Sequence, residues 1–120
     1  MGAALAEVSG LKLKAKFNKN IHVHTFGCPR IGNAALAQFF SLKVDTHYRV
    51  VHNRDLIPHL PPEPLEYHHS AFEVFWNEGF TEYKICNDSG EDRTCSNQYY
   101  PDYSGADHDT YFIYLGDLKC

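Results

Sequence analysis

Val50-Val51-His52-Asn53-Arg54-Asp55-Leu56-Ile57-Pro58-His59-Leu60-Pro61-Pro62 passes from strand to stiff loop within a few residues. Tyr48 to His52 carries the aromatic and β-branched side chains that fit a pleated sheet. Pro58, Pro61, Pro62 and, just beyond, Pro64 then fix the path of the chain. An acidic residue three positions past a buried strand, ahead of such a loop, stands where open α/β sheets place their chemistry. Asp55 is therefore a candidate site residue.

The flanking sequence predicts the layers around that strand. Gly2 to Phe17 reads as a helix, with Leu5, Val8 and Leu11 at helical spacing and Lys12, Lys14 and Lys16 suiting its carboxyl end. Its start, Gly2, Ala3, Ala4 and Ala6, is small enough for tight backbone packing, and Asn18 can end it. Ile21 to Phe26 is a strand closed by Gly27 and Pro29. Asn33 caps a second helix, Ala34 to Leu42, whose buried face is expected to be Leu36, Phe39 and Phe40. Tyr67 to Trp76 and Glu82 to Cys86 read as strands, residues 87–105 as a long ordered loop, and Asp109 to Leu118 as a short helical or mixed segment. The alternation predicts an α/β architecture with a mainly parallel sheet and flanking helices. Yet the first helix has no strand feeding it, and about three helices serve four strands. A parallel sheet is normally covered on both faces. Residues 1–120 are thus expected to form a single partial domain with an incomplete sheet.

Composition narrows the partners. A 43% hydrophobic and 22% charged content is that of a folded domain. A net charge of -4 argues against nucleic acid or an anionic membrane surface as the partner. No stretch reaches the roughly 18 apolar residues of a membrane span, and no signal peptide is visible. Met1 opens directly onto the Ala-rich helical pattern, which points to an amino end further upstream.

Eight histidines raise the question of a metal. None is spaced as a helical HxxxH or a zinc finger, and the cysteines form no CxxC pair, so no metal site is expected. His22, His24, His47, His59 and His68 read instead as surface or hydrogen-bonded residues. Cys86 and Cys95 bracket the polar turn 87–92, short enough for a disulfide in an oxidising compartment; free cytosolic thiols are the alternative. Asn87-Asp88-Ser89 is a glycosylation triplet that matters only in a secreted chain. Far downstream, Asp107-His108-Asp109-Thr110-Tyr111-Phe112 offers a histidine where the long loop meets the terminal segment. Carboxylate first and histidine second is the order used after the serine of α/β-hydrolases.

Three motifs together give this order its specificity: Thr25-Phe26-Gly27-Cys28-Pro29-Arg30-Ile31-Gly32-Asn33, the Asp55 stretch, and Tyr67-His68-His69 followed by Glu73 and Trp76. With Cys86, Glu91-Asp92 and Cys95-Ser96, and with His108 ahead of Tyr111-Phe112, they resemble the fungal-type lipase family, class 3, over nearly the whole chain. Met1-Gly2-Ala3-Ala4-Leu5-Ala6 resembles the segment that follows that family's nucleophilic serine.

The resemblance implies the carboxyl-terminal part of an α/β-hydrolase fold. It further implies triacylglycerol-lipase-type ester hydrolysis through a Ser-His-Asp triad of which Asp55 and His108 are present. None of Ser9, Ser41, Ser70, Ser89, Ser96 and Ser104 lies in a G-x-S-x-G elbow, so the nucleophile is expected one residue before Met1 and the isolated chain is expected to be inactive. The Met1 backbone N–H would be an oxyanion donor. Leu60, Pro61, Pro62 and Leu65 would line the acyl groove or simply pack the loop. Cys120 would pair with an absent amino-terminal segment or remain a free thiol, and Cys28 would pack rather than react. No cofactor is implied. The partner would be a lipid ester at a lipid–water interface, and the location secreted or vacuolar/lysosomal. The alternative is a truncated, non-catalytic protein that binds lipid or a protein partner.

Overall fold

Alternation along the first two strands sets the layers. A computed structural model describes residues 1–114. In β1 (His22–Phe26), Val23 and Thr25 are buried while His22, His24 and Phe26 face outward. β2 (Thr46–His52) lies parallel to it, pairing His22 with Thr46 and Phe26 with Val50. β3 (Glu73–Trp76) adds a second parallel neighbour, and β4 (Tyr83–Ile85) returns antiparallel to it. The sheet order is β1-β2-β3-β4, an open sheet with β1 and β4 at its edges. A two-residue hairpin, β5 (Thr110–Tyr111) and β6 (Ile113–Tyr114), stands apart from it.

Two helices connect and cover these strands. α1 (Gly2–Phe17) ends at Asn18, which adopts the left-handed conformation (φ 48°) that asparagine tolerates. α2 (Ala34–Lys43) begins at Asn33, whose side chain accepts the Leu36 N–H at 3.0 Å. The end of α1 and the start of α2 therefore fall at asparagines suited to those positions. Their buried faces differ from expectation. α1 buries Glu7 and Gly10, leaving Leu5 and Val8 exposed. α2 buries Ala37 and Phe40, with Leu36 half-buried and Phe39 exposed under the Lys43 ammonium. At the small start of α1 a Cβ on Gly2 would meet no atom within 4 Å among the described residues, while Ala3 and Ala4 are half-buried. In each case the helix must also accommodate polar groups beneath it, which apolar spacing does not register.

Those polar groups separate two apolar clusters. Val23, Phe40 and Val44 form one, with Leu11 and Ile21 against it; Phe75, Cys86, Cys95 and Tyr99 form the other. Between them Arg49 is fully buried. Its Nε donates to the Ser70 carbonyl at 2.8 Å, and its Nη2 reaches the Gly90 carbonyl at 3.2 Å and Glu73 at 3.4 Å. Glu7 joins from α1, accepting the Ser70 hydroxyl at 3.3 Å, and burial pushes its carboxyl upward against the pull of Arg49. A buried cation of this kind is tolerated only with such partners.

Elsewhere the observed elements are shorter than expected. The strand expected over residues 67–76 is confined to Glu73–Trp76, and His68 makes an isolated bridge to Gly32. The loop 87–105 contains a 3-10 turn, Ser96–Tyr99, and is closed by the Cys86–Cys95 disulfide, so those two thiols are not free. The segment expected from Asp109 onward begins as the β5–β6 hairpin; its remainder and Cys120 lie outside the described residues.

Candidate active site

The turn after β2 is what exposes chemistry. Asn53 takes a positive φ (42°), a conformation asparagine accepts more readily than most residues, and swings Arg54 and Asp55 out of the sheet. A second segment, residues 104–108, lies alongside. Ser104 N–H donates to the Arg54 carbonyl at 2.7 Å, and Leu56 N–H to the Ser104 carbonyl at 3.2 Å. The Asp107 carboxylate fastens the two, accepting Asn53 Nδ2 at 2.8 Å, Arg54 N–H at 3.1 Å and Ser104 Oγ at 3.2 Å. The 3-10 turn Ala106–Asp109 then carries His108 to Asp55.

Asp55 is fully buried and accepts three hydrogen bonds. Oδ1 takes the Ile57 N–H at 2.8 Å; Oδ2 takes His108 Nδ1 at 2.9 Å and the Tyr111 hydroxyl at 2.6 Å. A carboxylate can only accept, so Nδ1 carries the proton and the Nε2 lone pair is left available as a base. No serine hydroxyl among the described residues bonds to His108. Tyr111 is itself held by the His52 N–H, which donates to its oxygen at 3.2 Å. Burial, then the Asp55 charge and hydrogen bond, push the Tyr111 hydroxyl far up, so it stays a donor. Gly27, with φ 57°, forms the floor: a Cβ there would lie 2.7 Å from His108 Cε1 and 2.9 Å from Asp55 Oδ2.

The two residues singled out for chemistry are thus brought together across 53 positions. Met1 is exposed at the start of α1, its carbonyl accepting the Leu5 N–H at 3.2 Å, and no hydrogen bond joins it to Asp55 or His108. Of the groove candidates, Leu60 and Pro62 line a cavity of about 550 Å³ together with Leu56, Tyr100 and Tyr103. Pro61 and Leu65 do not line it: the Pro61 carbonyl binds Arg30 at 3.1 Å and Leu65 is exposed. Sequence reasoning passed over Tyr111, Asp107 and Asn53 as site residues. An aromatic hydroxyl three positions beyond His108, and a carboxylate beside it, were the available signals; nothing pointed to Ser104.

The histidines divide. His22 and His24 are exposed, and His68 Nδ1 lies 2.8 Å from the His69 carbonyl. His47 and His59 depart from the surface reading: both are buried, His47 edge-on to Phe40 and Phe72, and His59 stacked on Tyr103 with centroids 3.9 Å apart. The thiol of Cys28 is fully buried and pushed upward, chiefly by burial, which suits packing rather than reaction. Among the described residues, the one grouping with metal-ligand geometry is Glu73 with Cys86 and Cys95, and its sulfurs are spent in the disulfide.

An open, mainly parallel sheet with an acid after one strand and a hydrogen-bonded histidine on a later loop defines a partial α/β-hydrolase fold. The sequence pattern of the family described as lipase (class 3) matches residues 1–65, and the chain belongs to that family. A lipase from Rhizopus niveus is 33% identical over 116 residues, covering 93% of this chain and 30% of the relative. The solved structure of lipase II from Rhizopus niveus superposes with a TM-score of 0.87 at 33% identity, over 92% of this chain and 43% of that one. A further structure, of a triacylglycerol lipase described as having a serine protease triad at its catalytic centre, aligns with a TM-score of 0.81 at 30% identity over 92% of this chain and 44% of that one. A secreted mono- and diacylglycerol lipase from Fusarium solani is 33% identical over 95 residues, 72% of this chain and 28% of the relative. The chain therefore spans about a third of the length of the curated relatives it matches.

Proposed function

We propose that residues 1–120 are the carboxyl-terminal portion of a triacylglycerol-lipase-type esterase, with Asp55 and His108 as acid and base of a Ser-His-Asp triad. The observation that carries this reading is the Asp55 Oδ2 to His108 Nδ1 hydrogen bond of 2.9 Å, on a histidine side chain one-third exposed beside a fully buried carboxylate. The serine belongs to a segment ahead of Met1, as the match of Met1 to Ala6 with the family's post-serine run supports. In the reaction, serine Oγ attacks the ester carbonyl while His108 Nε2 takes its proton, then returns it to the departing alcohol. Asp55 fixes the tautomer and stabilises the imidazolium. The Met1 backbone N–H, freed of its terminal charge by the preceding residue, donates to the oxyanion. Leu60 and Pro62 contribute apolar surface to the acyl chain.

Two further points accompany this reading. The secreted Fusarium relative supports a secreted protein, and the Cys86–Cys95 disulfide fits passage through an oxidising compartment. No helix among the described residues is long and apolar enough to cross a membrane. The test is to restore the sequence upstream of Met1 and measure hydrolysis of short- and long-chain esters and of a triacylglycerol emulsion. Hydrolysis abolished by His108→Ala is expected; no hydrolysis, or activity indifferent to that change, overturns the proposal.

A further inference from the structure

The loop closed by the Cys86–Cys95 disulfide carries Asn87-Asp88-Ser89, an Asn-x-Ser triplet with no proline at its centre. All three residues are exposed. The triplet is ordered: the Asn87 N–H donates to Asp92 Oδ2 at 3.0 Å, and the Asn87 Oδ1 accepts the Ser89 N–H at 3.0 Å. The Ser89 hydroxyl accepts the Glu91 N–H at 3.1 Å. The Asn87 amide nitrogen, Nδ2, makes no hydrogen bond to another described residue, and the residue is exposed. No hydrogen bond connects the triplet with Asp55 or His108, so the chemistry proposed above makes no use of it.

The neighbouring strand supplies a reason for a modification there. β4 pairs with β3 along one side and, among the described residues, is an edge of the sheet along the other. Its Tyr83 and Ile85 are 61% and 63% exposed. A free edge with apolar side chains is a template for pairing with another chain, and proteins commonly blunt such edges with a lysine. Lys84 is poorly placed for that duty, because its ammonium is engaged by the Thr94 hydroxyl and by the Thr94 carbonyl at 3.2 Å. Asn87 follows Ile85 by two residues. A hydrated glycan anchored at that point would occupy the space a second strand needs.

We propose that Asn87 is an N-glycan acceptor and that its glycan masks the free edge of β4. The donor is a lipid-pyrophosphate-linked oligosaccharide of the secretory lumen, the oxidising compartment in which the disulfide also forms. Nδ2 bonds to the anomeric carbon of the first sugar as the bond from that carbon to the pyrophosphate oxygen breaks. The pyrophosphate leaves with the bonding pair, and Nδ2 gives up one proton to a base of the transferase. The proposal rests on the secretory route suggested above and is independent of ester hydrolysis.

The experiment passes the full chain through a eukaryotic secretory pathway behind a cleavable signal and analyses both the secreted and the cell-retained protein. Peptide mass spectrometry follows digestion with and without an N-glycan amidase, which converts a glycosylated Asn to Asp. The expected result is Asp at position 87 only after amidase treatment, in the wild-type chain and in Ser89→Thr, and its loss in Asn87→Gln and Ser89→Ala. Unmodified Asn87 in both wild type and Ser89→Thr overturns the site. Light scattering then compares wild type with Ser89→Ala, each checked for an intact Cys86–Cys95 disulfide. Self-association of Ser89→Ala, reversed by adding Tyr83→Lys and Ile85→Lys, is expected. Equal association of the glycosylated and unglycosylated chains overturns the masking role.

Discussion

Asp55 is a buried carboxylate that accepts from three donors. Two of its three hydrogen bonds converge on Oδ2, so His108 and Tyr111 share one oxygen, and neither is oriented independently of the other. Replacing Asp55 by Asn keeps the shape but offers His108 an amide, which favours the wrong imidazole tautomer. In the reconstituted enzyme Asp55→Asn is expected to lower kcat by about 10⁴-fold with KM little changed, judged from a serine-protease triad. A fall of less than tenfold contradicts the triad assignment. Tyr111→Phe leaves the buried carboxylate one donor short and the His52 N–H without its acceptor. A loss of roughly 1.5–3 kcal/mol is expected for a hydrogen bond to a charged group, read from urea unfolding of the chain. Gly27→Ala places a methyl against His108 and Asp55 at a positive φ. It should cost at least tenfold in kcat, since small displacements of a reacting group are expensive, and unchanged turnover contradicts the floor assigned to Gly27.

At the scale of the element, fit between helix and sheet decides more than helix propensity does. Gly10 sits mid-helix, where alanine is intrinsically better by about 1 kcal/mol. A Cβ at that position, however, would lie 2.7 Å from Val23 Cγ2. Gly10→Ala is therefore expected to destabilise the chain by about 1–3 kcal/mol, as overpacking does, and a raised urea midpoint contradicts the close α1–β1 approach. The same close approach explains what was readable in the sequence. Helix ends were legible at Asn18 and Asn33, because capping is local chemistry. The parallel strands were legible in the β-branched runs, and the Asp55–His108 pairing through its flanking motifs. The face of α1 was not, because Glu7 is drawn inward by Ser70 and Arg49, a tertiary effect invisible to apolar spacing. Nor was the truncation of the strand expected over residues 67–76, whose first half instead follows backbone bonds such as His68 N–H to the Gly32 carbonyl at 2.8 Å. The clamp of Asp107 on Asn53, Arg54 and Ser104 joins two loops whose meeting no local pattern encodes.

For the whole molecule, buried ionisable groups set the response to acid. Burial, with help from nearby arginines, holds His47 and His59 down to about 4 and His69 well below its usual value of 6.5. The unfolded chain binds these protons first, so stability should fall as pH drops from about 6.5 toward 4. Glu91 acts lower down. Burial pushes its carboxyl up, but the Arg30 guanidinium, at 2.7 Å through both Nε and Nη2, together with Asn97 and the His69 N–H, holds it near 2. Its contribution, on the order of 3 kcal/mol, is present above the unfolded value of 4.5 and lost as pH falls to about 2. Urea midpoints measured from pH 7 to 2 should therefore decline in two stages, and His59→Phe, which keeps the stack on Tyr103, should flatten the first. A profile level down to pH 4.5 contradicts this account. The span between Asp55 and His108 carries one more consequence. Partners within the sheet are 24 residues apart or fewer, whereas Asp55 and His108 are separated by 53. On a ribosome adding about 5–20 residues per second, His108 is made roughly 3–10 s after Asp55. The nascent chain can thus pair the strands that precede and follow Asp55 before the histidine that binds it has been made.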